Sequence, residues 1–189
     1  MKGKIIILSA PSGTGKSTII KYLMCHRPDL DLKFSISATS RKPREGEIHE
    51  REYYFLTEEE FRKKIDNKEF VEWEEVYAGT FYGTLVSEVE RIVDHGHTLI
   101  MDIDVKGSLN MKKRFGRDAL SIFILPPSVE ELEERLKNRG TDTPDDVARR
   151  LAKAGYEMTF APEFDAVVVN DSLEKAADEV ATLIKAFRP

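Results

Sequence analysis

Eight residues near the start of the chain, Ala10-Pro11-Ser12-Gly13-Thr14-Gly15-Lys16-Ser17, have the types needed to grip a polyphosphate. They follow the apolar run Ile5-Ile6-Ile7-Leu8 and precede a stretch, Ser17 to Cys25, that reads as helix. A loop at such a junction turns successive backbone N–H groups onto phosphate oxygens, and the positive end of the helix dipole adds to the field. Gly13 and Gly15 allow a close backbone approach to the anion. Lys16 would reach the β- and γ-phosphates of a nucleoside triphosphate, and the Ser17 hydroxyl would ligate Mg²⁺. The adjoining Thr18 completes the stretch assigned to ATP. The usual pattern is G-x-x-x-x-G-K-[S/T]; Ala10 stands at its first position, where a methyl is tolerated if φ is negative. The competing reading, a chance Gly-rich turn, fits poorly with Gly-Lys-Ser at a strand-to-helix junction. The loop indicates a triphosphate and leaves the acceptor open.

A second chemical group is the pair Asp102 and Asp104, at the end of the apolar run Thr98–Ile103. A carboxylate at the C-terminal end of a parallel strand beside a phosphate loop can orient Mg²⁺ through water, a role assigned to Asp102. Asp104 reads equally well as an ordinary polar strand end, and which of the two lies nearer the metal stays open. Phosphoryl transfer between two polyanions also needs fixed positive charge, which arginine supplies in a planar, bidentate form. Arg41-Lys42-Pro43-Arg44 follows an expected strand, Phe34–Ser37, and Pro43 stiffens the segment so that Arg41 and Arg44 can converge on one phosphate. Arg135, Arg139 and Arg150 flank Asn138–Pro144, where Gly140 and Pro144 bracket a mobile turn of the kind a closing lid requires. Taken singly, each arginine reads as a solvated surface charge.

The elements that must position these groups are legible from periodicity. Lys4–Ser9, Thr98–Ile103, Leu120–Leu125 and Ala166–Val169 are short apolar, β-branched runs typical of strands buried on both faces. Helical patterns lie between or after them: Val129, Leu132 and Leu136 share one face, and Leu173, Ala176, Ala177, Val180, Leu183, Ile184 and Phe187 carry the i, i+3, i+4, i+7 pattern. Buried strands alternating with amphipathic helices predict an α/β fold, a parallel sheet flanked by helices. Residues 35 to about 96 break the pattern, with more mixed strands near Tyr53–Phe55 and Phe70–Val76, and read as an inserted lobe.

The whole chain sets further bounds. Its 189 residues suit one domain with a sizeable core, and 41% apolar with 33% charged residues excludes a disordered or fibrous chain. The net charge of −5 gives no overall field for a polyanion, so nucleic acid is not expected as a partner. Cys25 is the single cysteine, which rules out an intrachain disulfide and suits a reducing compartment; it is expected half-buried on a helix. The opening residues are too short for a secretory signal and no apolar run approaches the roughly 20 residues needed to span a bilayer. A soluble, cytoplasmic protein without a membrane partner is therefore expected. His26, His49, His95 and His97 lack ligand spacing and are assigned to the surface, and Tyr22, Tyr54 and Tyr156 to packing.

Several stretches together resemble guanylate kinase: Pro11–Ser17, Ser37-x-x-x-Arg41-x-Pro43-Arg44-x-Gly46-Glu47, Phe70-Val71-Glu72-Trp73 and Tyr82-Gly83-Thr84. Leu99–Asp104, Pro126-Pro127-Ser128 and Arg139-Gly140 continue the resemblance, which runs from residue 4 to about 187. It implies a P-loop NTPase-type fold in one domain over 1–189: a core of about 1–34, 97–126 and 160–189, a GMP-binding lobe of about 35–96 and a helical lid of about 127–159. It implies ATP and GMP as substrates, with dGMP and the oligomeric state, monomer or homodimer, left open. Arg41, Arg44, Tyr53 and Tyr82 match residues that hold the GMP phosphate, and Ser37, Glu72 and Thr84 match residues that contact guanine. Glu47, Asp102 and Asp104 are placed with the GMP-binding set, the role of Glu47 being undefined. Lys16, Arg139 and Arg150 match groups that neutralise the transferring phosphoryl, Arg44 joins them as a catalytic group, and Arg135 and Asn170 match ATP-binding positions, the latter near adenine. Two departures stand out: Ala10, and a segment between Trp73 and Tyr82 that is one residue longer than the commoner spacing, with Phe81 where a second tyrosine often lies.

Guanine presents two adjacent donors, N1–H and the exocyclic amine, and an ionised Glu72 can accept both. Adenine would set an unprotonated nitrogen against the carboxylate, and sites of this type reject such analogues by factors of about 10⁴ to 10⁵. The rival reading of Glu72, the solvent face of a strand, holds without the resemblance. The expected reaction is in-line attack by a GMP oxygen on the γ-phosphorus of Mg·ATP, giving GDP and ADP with no covalent intermediate. A protein-binding module on the same fold would be expected to lose Lys16 or Ser17, and a kinase for AMP or dTMP would not need Glu72.

Overall fold

Ile5–Ser9, strand β1, is buried at every position, as a strand covered on both faces must be. It pairs in parallel with β8 (Ala119–Leu125), Ile5 opposite Ala119 and Ser9 opposite Phe123. β8 pairs in parallel with β9 (Ala166–Val169). With β2 (Leu32–Phe34) and β7 (Thr98–Asp102) they form a five-stranded sheet in the order β2-β7-β1-β8-β9. The molecule is a computed structural model in which residues 2–138 and 143–187 are described. It divides into two compact units, one drawn from residues up to Lys4 with Lys33–Leu99, the other from Ile5–Leu32 with Ile100 onward.

In the second unit, α1 (Lys16–His26) and α7 (Leu173–Phe187) bury Ile19, Leu23, Ala177, Val180 and Ile184 in one cluster with Ile6, Leu8, Ile122 and Ile124 of the sheet. Helix α4 (Val105–Phe115) contributes Val105 to a smaller cluster with Phe123 and Phe164. Helices α5 (Val129–Lys137) and α6 (Pro144–Met158) share Leu132, Leu136, Val147 and Ala154. Thr143 caps α6, donating to Asp146 and accepting its amide, with Pro144 at the first helical turn.

The first unit has its own sheet, in the order β4-β3-β6-β5, from β3 (Ala38–Thr39), β4 (Tyr54–Phe55), β5 (Phe70–Tyr77) and β6 (Thr80–Leu85). Phe61 of α2 (Glu58–Asp66) stacks on Phe70 at 4.3 Å and on Phe81 at 5.4 Å, closing a core completed by Ala38 and Leu85. Helix α3 (Val86–Val93) follows β6 directly.

The architecture is the α/β arrangement the sequence predicts, with several local differences. The expected strand Phe34–Ser37 stops at Phe34: the Ile36 N–H goes to the Glu88 carboxylate instead of a neighbouring strand, and pairing resumes at Ala38. β9 is an edge strand, so Val167 and Val169 are exposed, not buried on both faces. Val129, at the first turn of α5, lies outside the face shared by Leu132 and Leu136. Tyr156 is exposed, touching Phe160 edge-on, and Cys25 is exposed rather than half-buried. In the segment expected to be one residue longer, the strand register shifts between Glu75 and Tyr77, after which Tyr77 pairs with Thr80 across a two-residue turn. Phe81 then enters the core, and Tyr82 takes the opposite face. No helix among the described residues is long and apolar enough to cross a membrane.

Candidate functional site

The phosphate loop leaves β1 at Ala10, whose φ is not positive, so its methyl meets no backbone penalty. Gly13 and Gly15 both have φ of +93°, closed to ordinary side chains. A Cβ on Gly15 would also lie 2.5 Å from Asn170 Nδ2, so that position excludes any side chain twice over. The turn is tied internally by Thr14, whose hydroxyl donates to the Pro11 carbonyl at 2.7 Å. Helix α1 begins immediately afterwards with no side-chain cap and no acidic residue in its first turn. Its first N–H groups and its dipole are thereby left to an anion.

Around this loop lies a cavity of about 360 Å³. Lys16 Nζ sits 2.5 Å from Asp102 Oδ1 and donates to the Ile103 carbonyl at 3.2 Å, and Ser17 Oγ donates to Asp102 Oδ2 at 3.0 Å. Asp102 thus joins both side chains assigned to the phosphates and the metal. Asp104 lines the same cavity but is committed to capping α4, accepting from the Gly107 N–H at 3.0 Å. Both aspartates therefore stand with the phosphate loop, in the second unit. Arg150 of α6 donates to Ser12 Oγ at 3.1 Å. Arg139 lies outside the described residues.

On the other flank of the loop, a hollow is lined by Gly13, Gly15, Thr18, Arg135, Asn170 and neighbouring residues. Asn170 is buried and donates its Nδ2 to the Thr14 carbonyl at 2.7 Å, while Arg135 donates to the Asn170 carbonyl at 3.1 Å. One buried amide therefore braces the loop and borders this hollow.

Sequence reasoning missed two further residues of the phosphate cavity, Lys153 and Glu157. Both share a face of α6 with Arg150, at steps of three and four residues, the one signal that pointed to them. Lys153 Nζ lies 3.7 Å from Glu157. Burial pushes the Glu157 carboxyl above the usual range; Lys153 and Lys16 oppose the shift, and Asp104 adds to it.

In the first unit, Arg41 is held by a fork from Glu47, Nη1 to Oε2 at 2.9 Å and Nη2 to Oε1 at 3.0 Å. Its Nε donates to the Tyr82 hydroxyl at 3.2 Å, and its guanidinium carbon lies 5.4 Å from the centre of the Tyr53 ring. Tyr53 and Tyr82 meet edge to face at 5.9 Å. Glu47 also accepts the Arg44 N–H at 2.7 Å, which fixes the turn carrying the exposed Arg44 side chain. These three bonds, the Arg41 fork first and the Arg44 amide second, hold the Glu47 carboxyl below the usual range, and Glu47 in turn raises the pKa of Arg41. Glu47 thus acts on the cluster through Arg41 and Arg44.

Glu72 and Thr84 are cross-strand partners on β5 and β6, and Thr84 Oγ1 donates to Glu72 Oε1 at 2.7 Å. Ala38 stands opposite Gly83, and Ser37 immediately precedes that strand, its carbonyl accepting the Tyr54 N–H at 2.9 Å. The first unit therefore joins Glu72 and Thr84 as one polar pair and Arg41, Glu47, Tyr53 and Tyr82 as a separate cluster.

A family model described as guanylate kinase matches residues 2–187. A guanylate kinase of Bacteroides thetaiotaomicron is 57% identical over 187 residues, 99% of this chain and 91% of that protein. One from Porphyromonas gingivalis is 53% identical over 97% of each chain. Among solved structures, the crystal structure of guanylate kinase from Anaplasma phagocytophilum superposes with a TM-score of 0.73 at 31% identity, covering 98% of this chain and 86% of that one. A match of that extent, over a chain whose phosphate loop keeps both Lys16 and Ser17, means that this protein belongs to the guanylate kinase family.

Proposed function

We infer that the protein catalyses phosphoryl transfer from ATP to GMP, giving ADP and GDP. The loop Ala10–Ser17 with Thr18 receives the triphosphate on main-chain amides, and the hollow bordered by Arg135 and Asn170 takes the adenine. Lys16 exchanges Asp102 for the β- and γ-phosphates, while Arg150 and Arg139 add positive charge around the transferring group. Ser17 and Asp102 supply hard oxygen donors 3.0 Å apart, a set that suits Mg²⁺. They would hold the ion, Ser17 directly and Asp102 through water, and the ion would neutralise phosphate charge when bound. In this reading α5 and α6 form the lid, residues 35–96 the GMP lobe, and Glu157 is a neighbour of the phosphates rather than a base.

Arg41 and Arg44, with Tyr53 and Tyr82, grip the phosphate of GMP. Glu47 keeps Arg41 in a fixed fork, which cuts the entropy lost when the guanidinium meets its second anion. Glu72 accepts the N1–H and amine of guanine, and the Thr84 hydroxyl orients that carboxylate. The acceptor oxygen is already ionised near neutral pH, so positioning and charge carry the rate and no general base is required. A reducing, cytoplasmic setting suits the exposed, single Cys25.

The observation that carries the guanine reading is the Thr84-to-Glu72 hydrogen bond, which leaves one carboxylate edge committed and aims the group. The test is coupled ADP release with Mg·ATP and a panel of monophosphates. Turnover that depends on GMP is expected; equal rates with AMP would remove the role given to Glu72.

A further inference from the structure

Glu88, in the first turn of α3, is 2% exposed and, among the described residues, is the one charged side chain that is fully buried. It belongs to none of the motifs above. Its carboxylate accepts four hydrogen bonds: from the Ile36 N–H at 3.0 Å, from the Tyr54 hydroxyl at 3.2 Å, and from Arg91 Nε and Nη2, each at 2.9 Å. Burial pushes this carboxyl up, but Arg91, the Ile36 amide and Tyr54 outweigh it, so the group is held ionised.

A carboxylate buried in this way is costly unless every lone pair is used, and a merely structural plug at this place could be apolar, as Val89 and Ile92 of the same helix are. What the charge adds is direction. Ile36 immediately precedes Ser37, and its N–H is the donor that interrupts the strand there. Tyr54 immediately follows Tyr53. The helix that carries Glu88 is the direct continuation of β6, which carries Tyr82 and Thr84. Three segments bearing the GMP contacts therefore meet at one carboxylate, neutralised by Arg91 one turn along its own helix.

We propose that Glu88 is a positioning residue for the acceptor nucleotide: through Ile36 and Tyr54 it sets where Ser37 and Tyr53 stand against Thr84 and Glu72, and so governs GMP affinity without touching GMP. The inference rests on the assignment of those four residues to GMP.

The experiment is steady-state kinetics with each substrate varied at saturation of the other, alongside thermal melting. The variants are Glu88→Gln, Glu88→Ala, Tyr54→Phe and, as the control on the assignment, Glu72→Ala. Glu88→Ala is expected to raise KM for GMP about 10-fold or more, with KM for ATP and kcat within about twofold of the parent. Glu88→Gln keeps one acceptor oxygen, enough for the Ile36 N–H, and turns an amide donor toward Tyr54, whose hydroxyl can accept it, so it should recover part of that loss; Tyr54→Phe removes one bond and should raise KM for GMP about 2- to 5-fold. If Glu88→Ala does not fold, the split between the two KM values in Glu88→Gln and Tyr54→Phe decides. An unchanged KM for GMP in folded variants, or both KM values rising together as the melting temperature falls, overturns the proposal. If Glu72→Ala also leaves KM for GMP unchanged, the assignment of the GMP contacts fails first and the role of Glu88 with it.

Discussion

At the scale of single residues, charge is arranged in mutually satisfied groups before any nucleotide arrives. Lys16 pairs with Asp102, Arg41 with Glu47, and Arg91 with Glu88. Lys16→Ala removes the cation proposed to meet the transferring phosphates, and kcat should fall by at least about 100-fold while the melting curve stays cooperative. A normal rate in that variant would discredit the phosphate-loop assignment. Glu157 permits a pH test. Burial is the main reason its carboxyl is raised, so the folded chain binds a proton there that the unfolded chain has already released. An acid of this kind lowers stability once pH rises above its unfolded value, and has no effect below it. Glu157→Gln should therefore raise Tm near neutral pH, and the gain should vanish as pH falls to about 4. A gain that persists at the acid end would mean that packing, not charge, is responsible.

At the scale of elements, the phosphate loop depends on a brace from outside itself. Asn170, just beyond β9, holds the Thr14 carbonyl and occupies the space that a side chain at position 15 would need. Asn170→Ala removes a buried hydrogen bond costing about 1–3 kcal/mol, which should appear chiefly as a raised KM for ATP with KM for GMP unmoved. Phe61→Ala should destabilise the first unit by about 3–5 kcal/mol, since the ring is fully buried between Phe70 and Phe81; urea melts monitored at Trp73 would report it. These two cases mark what the sequence could and could not disclose. β1, the loop and α1 were legible because a buried run, two glycines and Lys-Ser are contiguous and locally determined. The brace was not, because it joins residues 156 positions apart. Glu88 was hidden for the same reason, its partners Ile36 and Tyr54 lying 52 and 34 positions away. The edge position of β9 follows from strand order, which periodicity does not encode, so its valines read as buried. The resemblance supplied the roles of Glu72 and Thr84; the structure adds that they are cross-strand partners.

At the scale of the whole molecule, the two residue clusters proposed for the two nucleotides fall in different units, and this makes the substrate assignments separable. A ligand that binds only the folded form slows local opening where it binds. GMP alone should protect amides within residues 33–99 from hydrogen exchange, and Mg·ATP alone should protect those near 10–20 and 150. Protection of the same amides by either nucleotide would contradict the division of labour. The pairing of Lys16 with Asp102 has a final bearing on the catalytic cycle. Because the ammonium has a resident counter-ion, a phosphate arriving there would swap one anionic neighbour for another instead of rescuing a stranded cation. Under the proposed assignment, the same competition would moderate grip on the spent nucleotide, the aspartate reclaiming the lysine as ADP departs. Such a site would give up part of its substrate affinity for discharge of product, a favourable exchange where release limits turnover.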